Sequence, residues 1–220
     1  MEQTRRYWED TYLFEVDTEV IGVRDEPEPG IAVRDGIVHA KGGGQPDDTV
    51  TVDQRSASVS KESETVWLHP EGTLPAVGDV VHVAVDPETR RRHAALHSAG
   101  HLLDACVLPL GFVNIGLSHT PGQAFLLYDV DGGTLPDGEE AKAALVEAVL
   151  TRARDHVAAD LPFSAEVDAD GVRTVTIDGV HTDPCGGTHV RTTGDLTGIT
   201  ITRVRTKKSQ LKLSYTAEHA

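Results

Sequence analysis

Two short motifs, far apart in the sequence, carry the residues best suited to chemistry. The first places His97 and His101 four residues apart in a segment that predicts a helix, so both imidazoles lie on one helix face. The second, residues 185–189, contributes Cys185 and His189. Two imidazoles on one face can share a metal ion, and a thiolate with a third imidazole completes a tetrahedral set of three nitrogens and one sulfur. We therefore predict one zinc ion, which can tie a domain together or support hydrolysis.

Neither motif is decisive alone, because the chain has 11 histidines and a pair four residues apart also arises by chance. The second motif is strengthened by Gly186 and Gly187, since glycines let the backbone wrap closely around a metal. Three other residues give weaker predictions of function. We expect His93 to face solvent, Cys106 to be a buried apolar residue of the helix, and His119 to line the pocket.

Composition excludes several classes of protein. The 220 residues are 39% hydrophobic and 25% charged, an ordinary globular balance. The start of the chain has no secretory signal, and no segment approaches the roughly 18 apolar residues of a membrane span. Two cysteines do not suggest a disulfide framework. We expect a cytoplasmic protein with neither a membrane nor DNA as a partner, and the sequence leaves its oligomeric state open.

The charge is unevenly distributed along the chain. The net charge of −15 argues at first against a nucleic-acid partner. Residues 1–86 have a net charge of −11 and residues 87–220 of only −4, and beyond Cys185 six basic residues face only two acidic ones. Because salt confines the field of each charge to about 10 Å, a local basic strip can hold a phosphate backbone on an acidic protein. A solvated strand with alternating charges explains the strip equally well.

The pattern of turns and apolar runs predicts two domains. Residues 1–86 read as short strands at 19–23, 36–39, 49–52, 65–68 and 80–85, which favours a small barrel or a curled sheet. Asp86 and Pro87 mark the boundary, with Asp86 placed to cap the next helix.

Residues 87–220 predict an α+β domain with helices packed on a mostly antiparallel sheet. Helices are expected at 88–108 and 139–158. Strands are expected at 124–129, 165–167, 173–177, 199–206 and 211–216.

A run of three glycines and a glutamine, residues 42–45, stands out in the first domain. Consecutive glycines cost conformational entropy, so they indicate a backbone that needs unusual dihedral angles or a close approach to a ligand. A nucleotide or an acyl ester could lie against it. The run is not a P-loop, because no Gly-Lys-Ser/Thr follows.

Taken together, residues 42–48, the His97/His101 helix and residues 185–190 resemble the AlaX-type alanyl-tRNA editing family, free-standing relatives of the editing domain of alanyl-tRNA synthetase. The resemblance covers nearly the whole chain, and residues 185–190 are its most specific element. It implies a glycine-motif β-barrel-like domain at 1–86 and a zinc-containing editing domain at 87–220. It also implies a trans-acting deacylase that hydrolyses tRNA(Ala) mischarged with serine, and in some members with glycine.

The resemblance also implies roles for individual residues. The zinc ligands, and with them the catalytic residues, would be His97, His101, Cys185 and His189. Four protein ligands describe a closed site, whereas catalysis needs an open position, so a structural and a catalytic zinc both remain open. The candidates for binding the aminoacyl substrate are Gly43, Gly44, Gln45, Ser118 and Thr188.

Two departures and three alternatives accompany the resemblance. Residues 114–119 replace the usual Gln-x-Gly-Ser element, and Ser98 replaces the common threonine but keeps a hydroxyl. The editing domain of threonyl-tRNA synthetase has the same ligand spacing, so Ser-tRNA(Thr) is an alternative substrate. Two further alternatives are a non-catalytic, zinc-stabilised tRNA-binding module and a zinc hydrolase that acts on small molecules.

Overall fold

The computed structural model describes residues 2–220 and divides them into two compact units. The first unit comprises residues 2–42 and 46–91, and the second comprises residues 43–45 and 92–220. The division falls inside a helix, Pro87–Val107 (α1). The glycine-rich residues 43–45 belong to the unit that contains His97 and Cys185.

Strands dominate the first unit. Their bounds are β1 (Thr4–Arg5), β2 (Glu15–Arg24), β3 (Gly30–Val33), β4 (Asp35–Gly36), β5 (Val50–Val52), β6 (Arg55–Glu62), β7 (Thr65–Pro70) and β8 (Val80–Val85). β1 and β4 form a short parallel pair. The other six pair antiparallel in the order β2-β3-β7-β6-β5-β8, and β8 pairs again with β2, which closes a barrel.

The barrel closes around β-branched side chains. Along β8, Val81, Val83 and Val85 are buried and alternate with more exposed residues, as a strand with one face on the core requires. They pack with Ile31 and Leu68 in one apolar cluster.

A buried ion pair lies beneath these strands. The Arg90 guanidinium contacts the Asp48 carboxylate at 2.5 and 3.0 Å, and both side chains are fully buried. Arg90 also donates to the carbonyl oxygens of Ile37 and Thr11, and the Asp48 carboxylate accepts the backbone N–H of His39 at 2.6 Å. These bonds satisfy both charges, which is the condition under which a buried pair is tolerated.

The cap predicted for the first helix is confirmed. The Asp86 carboxylate accepts the backbone N–H of Thr89 at 2.7 Å, and Pro87 occupies the first helical position. The hydrogen bonds from Thr89 lower the pKa of Asp86.

The second unit contains the remaining strands and a second long helix. Their bounds are β9 (Phe112–Ser118), β10 (Phe125–Val130), α2 (Gly138–Ala158), β11 (Phe163–Val167), β12 (Arg173–Ile177), β13 (His181–Pro184), β14 (Leu196–Lys207) and β15 (Gln210–His219). An antiparallel sheet has the order β14-β15-β10-β9, and a second has the order β11-β12-β13. The predicted combination of two helices with antiparallel sheets is confirmed.

The core of the second unit joins α1 to the larger sheet. An apolar stripe of α1, formed by Leu96, Ala99, Leu103 and Val107, is buried, as are the inward residues of β15 and two residues of α2. This packing fixes the helix face that bears His97 and His101. Neither helix of the described residues combines the length and the apolar character needed to cross a bilayer.

Candidate metal centre

Four side chains of the second unit converge on one point. The ligand atoms of His97, His101, Cys185 and His189 all lie within 4.8 Å of one another. The Cys185 Sγ atom is 3.3 Å from His97 Nε2 and 3.2 Å from His189 Nε2. Around a tetrahedral zinc, bond lengths of 2.0–2.3 Å put sulfur and nitrogen ligands about 3.6 Å apart. The donor set and its spacing therefore fit a tetrahedral metal ion.

The turn that carries Cys185 and His189 needs its glycines. A Cβ atom added at Gly187 would overlap the His97 imidazole. The Arg173 guanidinium, from β12, donates to the carbonyl oxygens of Cys185 and Gly187 at 3.0 Å each. Glycine thus permits the close approach of the turn to α1, and Arg173 holds the turn in place.

A glutamine from the glycine-rich run orients His97. Gln45 is fully buried, and its Oε1 atom accepts the backbone N–H of Thr188 at 3.0 Å. Because that N–H can only donate, Oε1 is an acceptor and His97 Nδ1 must be the donor in their 2.8 Å contact. The lone pair of His97 therefore lies on Nε2, the atom that faces Cys185. Such an outer partner fixes the tautomer of a metal-binding histidine.

A serine hydroxyl occupies the corresponding place beside His189. The Ser98 Oγ atom is 3.2 Å from His189 Nδ1 and accepts the backbone N–H of Val190 at 3.0 Å. The hydroxyl that the sequence keeps at position 98 therefore supports the turn and the ring together.

Burial keeps the imidazoles of His101 and His119 neutral. It lowers the pKa of His101 to about 3, helped by His119, His181 and Arg173, and it lowers the pKa of His119 to about 4. Neutral imidazoles are the form that binds metals. Burial raises the pKa of the Cys185 thiol, while the Gly187 N–H and Arg173 act in the opposite direction. Metal binding at this cluster would therefore release the thiol proton.

His119 packs directly on the cluster. Its ring stacks on His97 with 4.2 Å between centroids, and its Nδ1 atom is 2.6 Å from the Tyr215 hydroxyl. Tyr215 donates its proton to the Leu96 carbonyl oxygen at 3.0 Å, so His119 Nδ1 must donate to Tyr215. Gly100 allows this packing, because an added Cβ would lie 2.5 Å from the His119 ring.

A second group of possible ligands shares His101. His181 and Asp183, both on β13, bring ligand atoms within 4.8 Å of His101 and of each other. No role was predicted for His181, although its spacing from Asp183 places both residues on one face of the strand.

The predicted substrate-binding residues differ in how directly they contact the four-ligand cluster. Gln45 and Thr188 join the cluster, with Gln45 Nε2 donating to Thr188 Oγ1 at 3.0 Å. Gly44 has a φ of +78° and its carbonyl oxygen accepts the His119 N–H at 2.8 Å, whereas a Cβ added at Gly43 would meet open space. Ser118 donates to Thr120 within its own turn.

Sequence reasoning missed other residues of this region. Arg173 and Tyr215 were not singled out, because a strand arginine and a strand tyrosine carry no local signal of what they contact. The expectation that His93 faces solvent is wrong, since His93 is only 5% exposed. The expectation that Cys106 is a buried apolar residue is confirmed.

Comparisons with known proteins agree with this geometry. A family model described as the second additional domain of threonyl and alanyl tRNA synthetases matches residues 172–213, which include Cys185 and His189. The chain is 26% identical to alanyl-tRNA editing protein AlaX-L of Pyrococcus horikoshii over 94% of this chain and 56% of the relative. It is 30% identical to alanyl-tRNA editing protein Aarsd1 of Mus musculus over 85% of this chain and 49% of the relative.

The chain belongs with the AlaX-type alanyl-tRNA editing proteins. The alanine–tRNA ligase of Synechococcus sp. is 32% identical over 72% of this chain and 20% of the ligase. This AlaX-type chain spans about half the length of the editing proteins it matches and a fifth of the ligase.

Proposed function

We propose that this chain hydrolyses the ester bond of Ser-tRNA(Ala) in a zinc-containing site, with Gly-tRNA(Ala) as a second candidate substrate. The observation that carries the proposal is the four-ligand cluster, whose His97 is oriented by the Gln45 of the glycine-rich run. The relatives named as alanyl-tRNA editing proteins support the same reaction class. The need is physical, because a pocket for alanine cannot strongly exclude a side chain that merely adds a hydroxyl.

Zinc would be held by His97, His101, Cys185 and His189, and when bound it supplies a Lewis acid that can orient the aminoacyl end or polarise water or the ester carbonyl. The chain's own residues prepare this site. Gln45 keeps the His97 proton on Nδ1, and Ser98 supports His189. Burial lowers the pKa of His101, so this imidazole is in the neutral form that binds metals. The burial of His97, His101 and His189 also strengthens any charge interaction with the substrate.

Thr188 is the strongest candidate for distinguishing serine from alanine. Its hydroxyl accepts from Gln45 Nε2 at 3.0 Å but donates to Gln45 Oε1 at only 3.3 Å. That Oε1 atom already accepts two shorter bonds. The Thr188 proton can therefore turn to the oxygen of a substrate serine at little cost, and alanine offers no such oxygen. A site that hydrogen-bonds a substrate hydroxyl can discriminate by roughly 10⁴-fold.

Single-turnover deacylation tests the proposal. Ser-tRNA(Ala), Gly-tRNA(Ala), Ala-tRNA(Ala) and Ser-tRNA(Thr) are incubated with enzyme in excess, and the free amino acid is measured over time. We expect rapid release of serine from tRNA(Ala) and retention of alanine. Faster release from Ser-tRNA(Thr) would favour the threonyl-type alternative, which the family model also covers. Binding of all four without hydrolysis would indicate a non-catalytic module.

A matched pair of variants tests the role of Thr188. Thr188→Val keeps the shape of the side chain and removes its hydroxyl, and we expect the preference for serine over alanine to fall about 10- to 100-fold. Thr197→Val makes the same change at an exposed position of β14 and should leave the preference unchanged. An unchanged preference in Thr188→Val would remove Thr188 from the account.

A further inference from the structure

The outward face of the β14–β15 hairpin gathers positive charge on a strongly acidic chain. On β14, Arg203, Arg205 and Lys207 are exposed at alternate positions and therefore share one face. Lys212 joins them, because it pairs directly with Arg205 across the ladder. Lys208 adds another positive charge at the tip of the hairpin, where its backbone has a φ of +56°. These five residues are called the cationic face below.

The five cations of the cationic face form no ion pair within the described part of the chain. Among the described residues, no carboxylate lies within ion-pair distance of any of the five. Elsewhere in the same unit, Lys142 pairs with Glu139 and Arg154 with Glu147. Five cations without such partners, on a chain of net charge −15, indicate a surface for an external polyanion.

The arrangement of the cations is regular. Alternate residues of a strand are about 6.8 Å apart, so the β14 cations form a row of about 14 Å. Lys212 is held at the middle of the face, since its Nζ atom lies 3.5 Å from the centre of the Phe125 ring. Arginines and lysines spaced along a sheet suit a chain of phosphates, because each guanidinium group can donate two hydrogen bonds to the oxygens of one phosphate.

A cavity of about 420 Å³ adjoins Lys212. Its lining includes Thr202, Ser214 and Thr216, whose hydroxyls can donate to phosphate or ribose oxygens, and the amide of Gln123. Gln123 belongs to the β9–β10 loop that also carries His119. The cavity thus connects the cationic face to the loop that reaches the metal centre.

We propose that the cationic face binds the phosphate backbone of the RNA substrate, with the adjoining cavity leading its 3′ end toward the β9–β10 loop. The proposal rests on the proposed function for its choice of RNA as the polyanion. Strand β15 links the two sites, because its outward Lys212 lies on the cationic face and its inward Tyr215 contacts His119.

Binding of uncharged tRNA(Ala) at several salt concentrations tests the proposal without relying on hydrolysis. The test variant is Arg203→Gln/Arg205→Gln/Lys207→Gln, at exposed positions where substitution does not disturb the core. The matched control is Lys142→Gln/Arg152→Gln/Arg154→Gln, which removes three charges from α2 of the same unit.

Each phosphate contact that is lost reduces the slope of log K against log salt by about 0.9, so the test variant should have a slope about 2.7 less steep than wild type. The ratio of the wild-type affinity for tRNA to that of the test variant should therefore fall about 40-fold between 50 and 200 mM salt. The control should retain the wild-type slope.

Three outcomes would overturn the proposal. The first is an unchanged slope in the test variant, and the second is an equal loss in the control, which would mean that only total charge matters. The third is unchanged tRNA binding together with lost binding to vesicles that contain phosphatidylserine, which would assign the face to a membrane. The deacylation assay reports separately, since a wild type that binds tRNA through this face but releases no serine would refute the proposed function alone.

Discussion

Replacing Gln45 by leucine should weaken metal binding, because it removes a hydrogen-bond partner of the candidate ligand His97. Gln45 is not one of the four candidate ligands, but its Oε1 atom is the acceptor for His97 Nδ1 and for the backbone N–H of Thr188. Leucine has a similar volume and no acceptor. The variant therefore leaves two buried donors without their partner and frees the His97 ring to change its tautomer.

The size of the effect follows from these bonds. Loss of an outer partner of a metal-binding histidine typically costs 10- to 100-fold in metal affinity, which is about 1.4–2.7 kcal/mol. Each buried donor left unpaired also costs about 1–3 kcal/mol of folding free energy. We therefore expect Gln45→Leu to bind zinc 10- to 100-fold more weakly and to be less stable in its metal-free form.

Competition with a chromophoric chelator measures the zinc dissociation constant, and Gln45→Glu is the matched control. Glutamate retains the acceptor oxygen toward His97 and Thr188, so its zinc affinity should stay close to that of wild type. If Gln45→Leu binds zinc as tightly as wild type does, the hydrogen bond does not orient His97 and the reasoning fails.

Three further changes test the packing around these sites. Gly187→Ala should abolish stoichiometric zinc binding, because the new Cβ overlaps the His97 ring; metal analysis of the purified variant measures this. Arg90→Met should destabilise the first unit by about 3–5 kcal/mol in chemical denaturation, since it leaves the Asp48 charge buried without its partner. Asp86→Ala should cost about 1 kcal/mol at pH 7 through loss of the α1 cap.

The pH dependence of the Asp86 effect has a defined sign. The folded chain lowers the pKa of this carboxyl, so its stabilising effect is present above the unfolded value of 3.8 and is lost as pH falls through the lower folded value. The difference between Asp86→Ala and wild type should therefore shrink below pH 4 in denaturation curves. A difference that stays constant across that range would show that the charge of Asp86 is not what caps the helix.

Each of the other two changes has a control. The control for Gly187→Ala is Gly116→Ala, on β9, where an added Cβ would lie 3.7 Å from the Leu127 side chain, an ordinary van der Waals contact. The control for Arg90→Met is Arg92→Met, an exposed position expected to change stability by less than about 0.5 kcal/mol. Equal effects in a variant and its control would contradict the packing that the prediction invokes.

Local signals explain why the helices were predictable. The first helix carries its cap and its proline within a few residues, and the apolar stripe of α1 repeats with the helical period. The predicted ranges 88–108 and 139–158 differ from α1 and α2 by one residue at most at either end. No distant contact was needed to recognise them.

Five strands escaped prediction, namely β1, β3, β6, β9 and β13, and the strand expected at 36–39 is wrong beyond Gly36, where β4 ends. Two of the five show why, because their patterns differ from that of a half-buried strand. β6 is largely polar, so little in its sequence distinguishes it from a loop. In β9, Val113 and Ile115 point outward while Asn114 points inward and donates to the buried Asp104 carboxylate. Apolar side chains outside and a polar one inside reverse the alternation on which strand prediction depends.

The candidate site was predictable in its ligands and not in their partners. The two histidines on one helix face and the second motif with Cys185 and His189 together predict a metal site, although neither motif is decisive alone. By contrast, Tyr215 meets His119 from 96 residues away, and Arg173 reaches the Cys185 turn only because β12 and β13 pair. Such contacts depend on how strands and helices assemble, which local sequence does not encode.

Zinc content and serine release, measured on the same preparations, test the central claim most directly. The variant is Cys185→Ala, and the control is Cys106→Ala, the other cysteine of the chain. We predict one zinc per chain and fast deacylation of Ser-tRNA(Ala) in wild type and in Cys106→Ala, with both lost in Cys185→Ala. Wild-type protein that binds no zinc, or Cys185→Ala that loses zinc and still releases serine at the wild-type rate, would contradict the account.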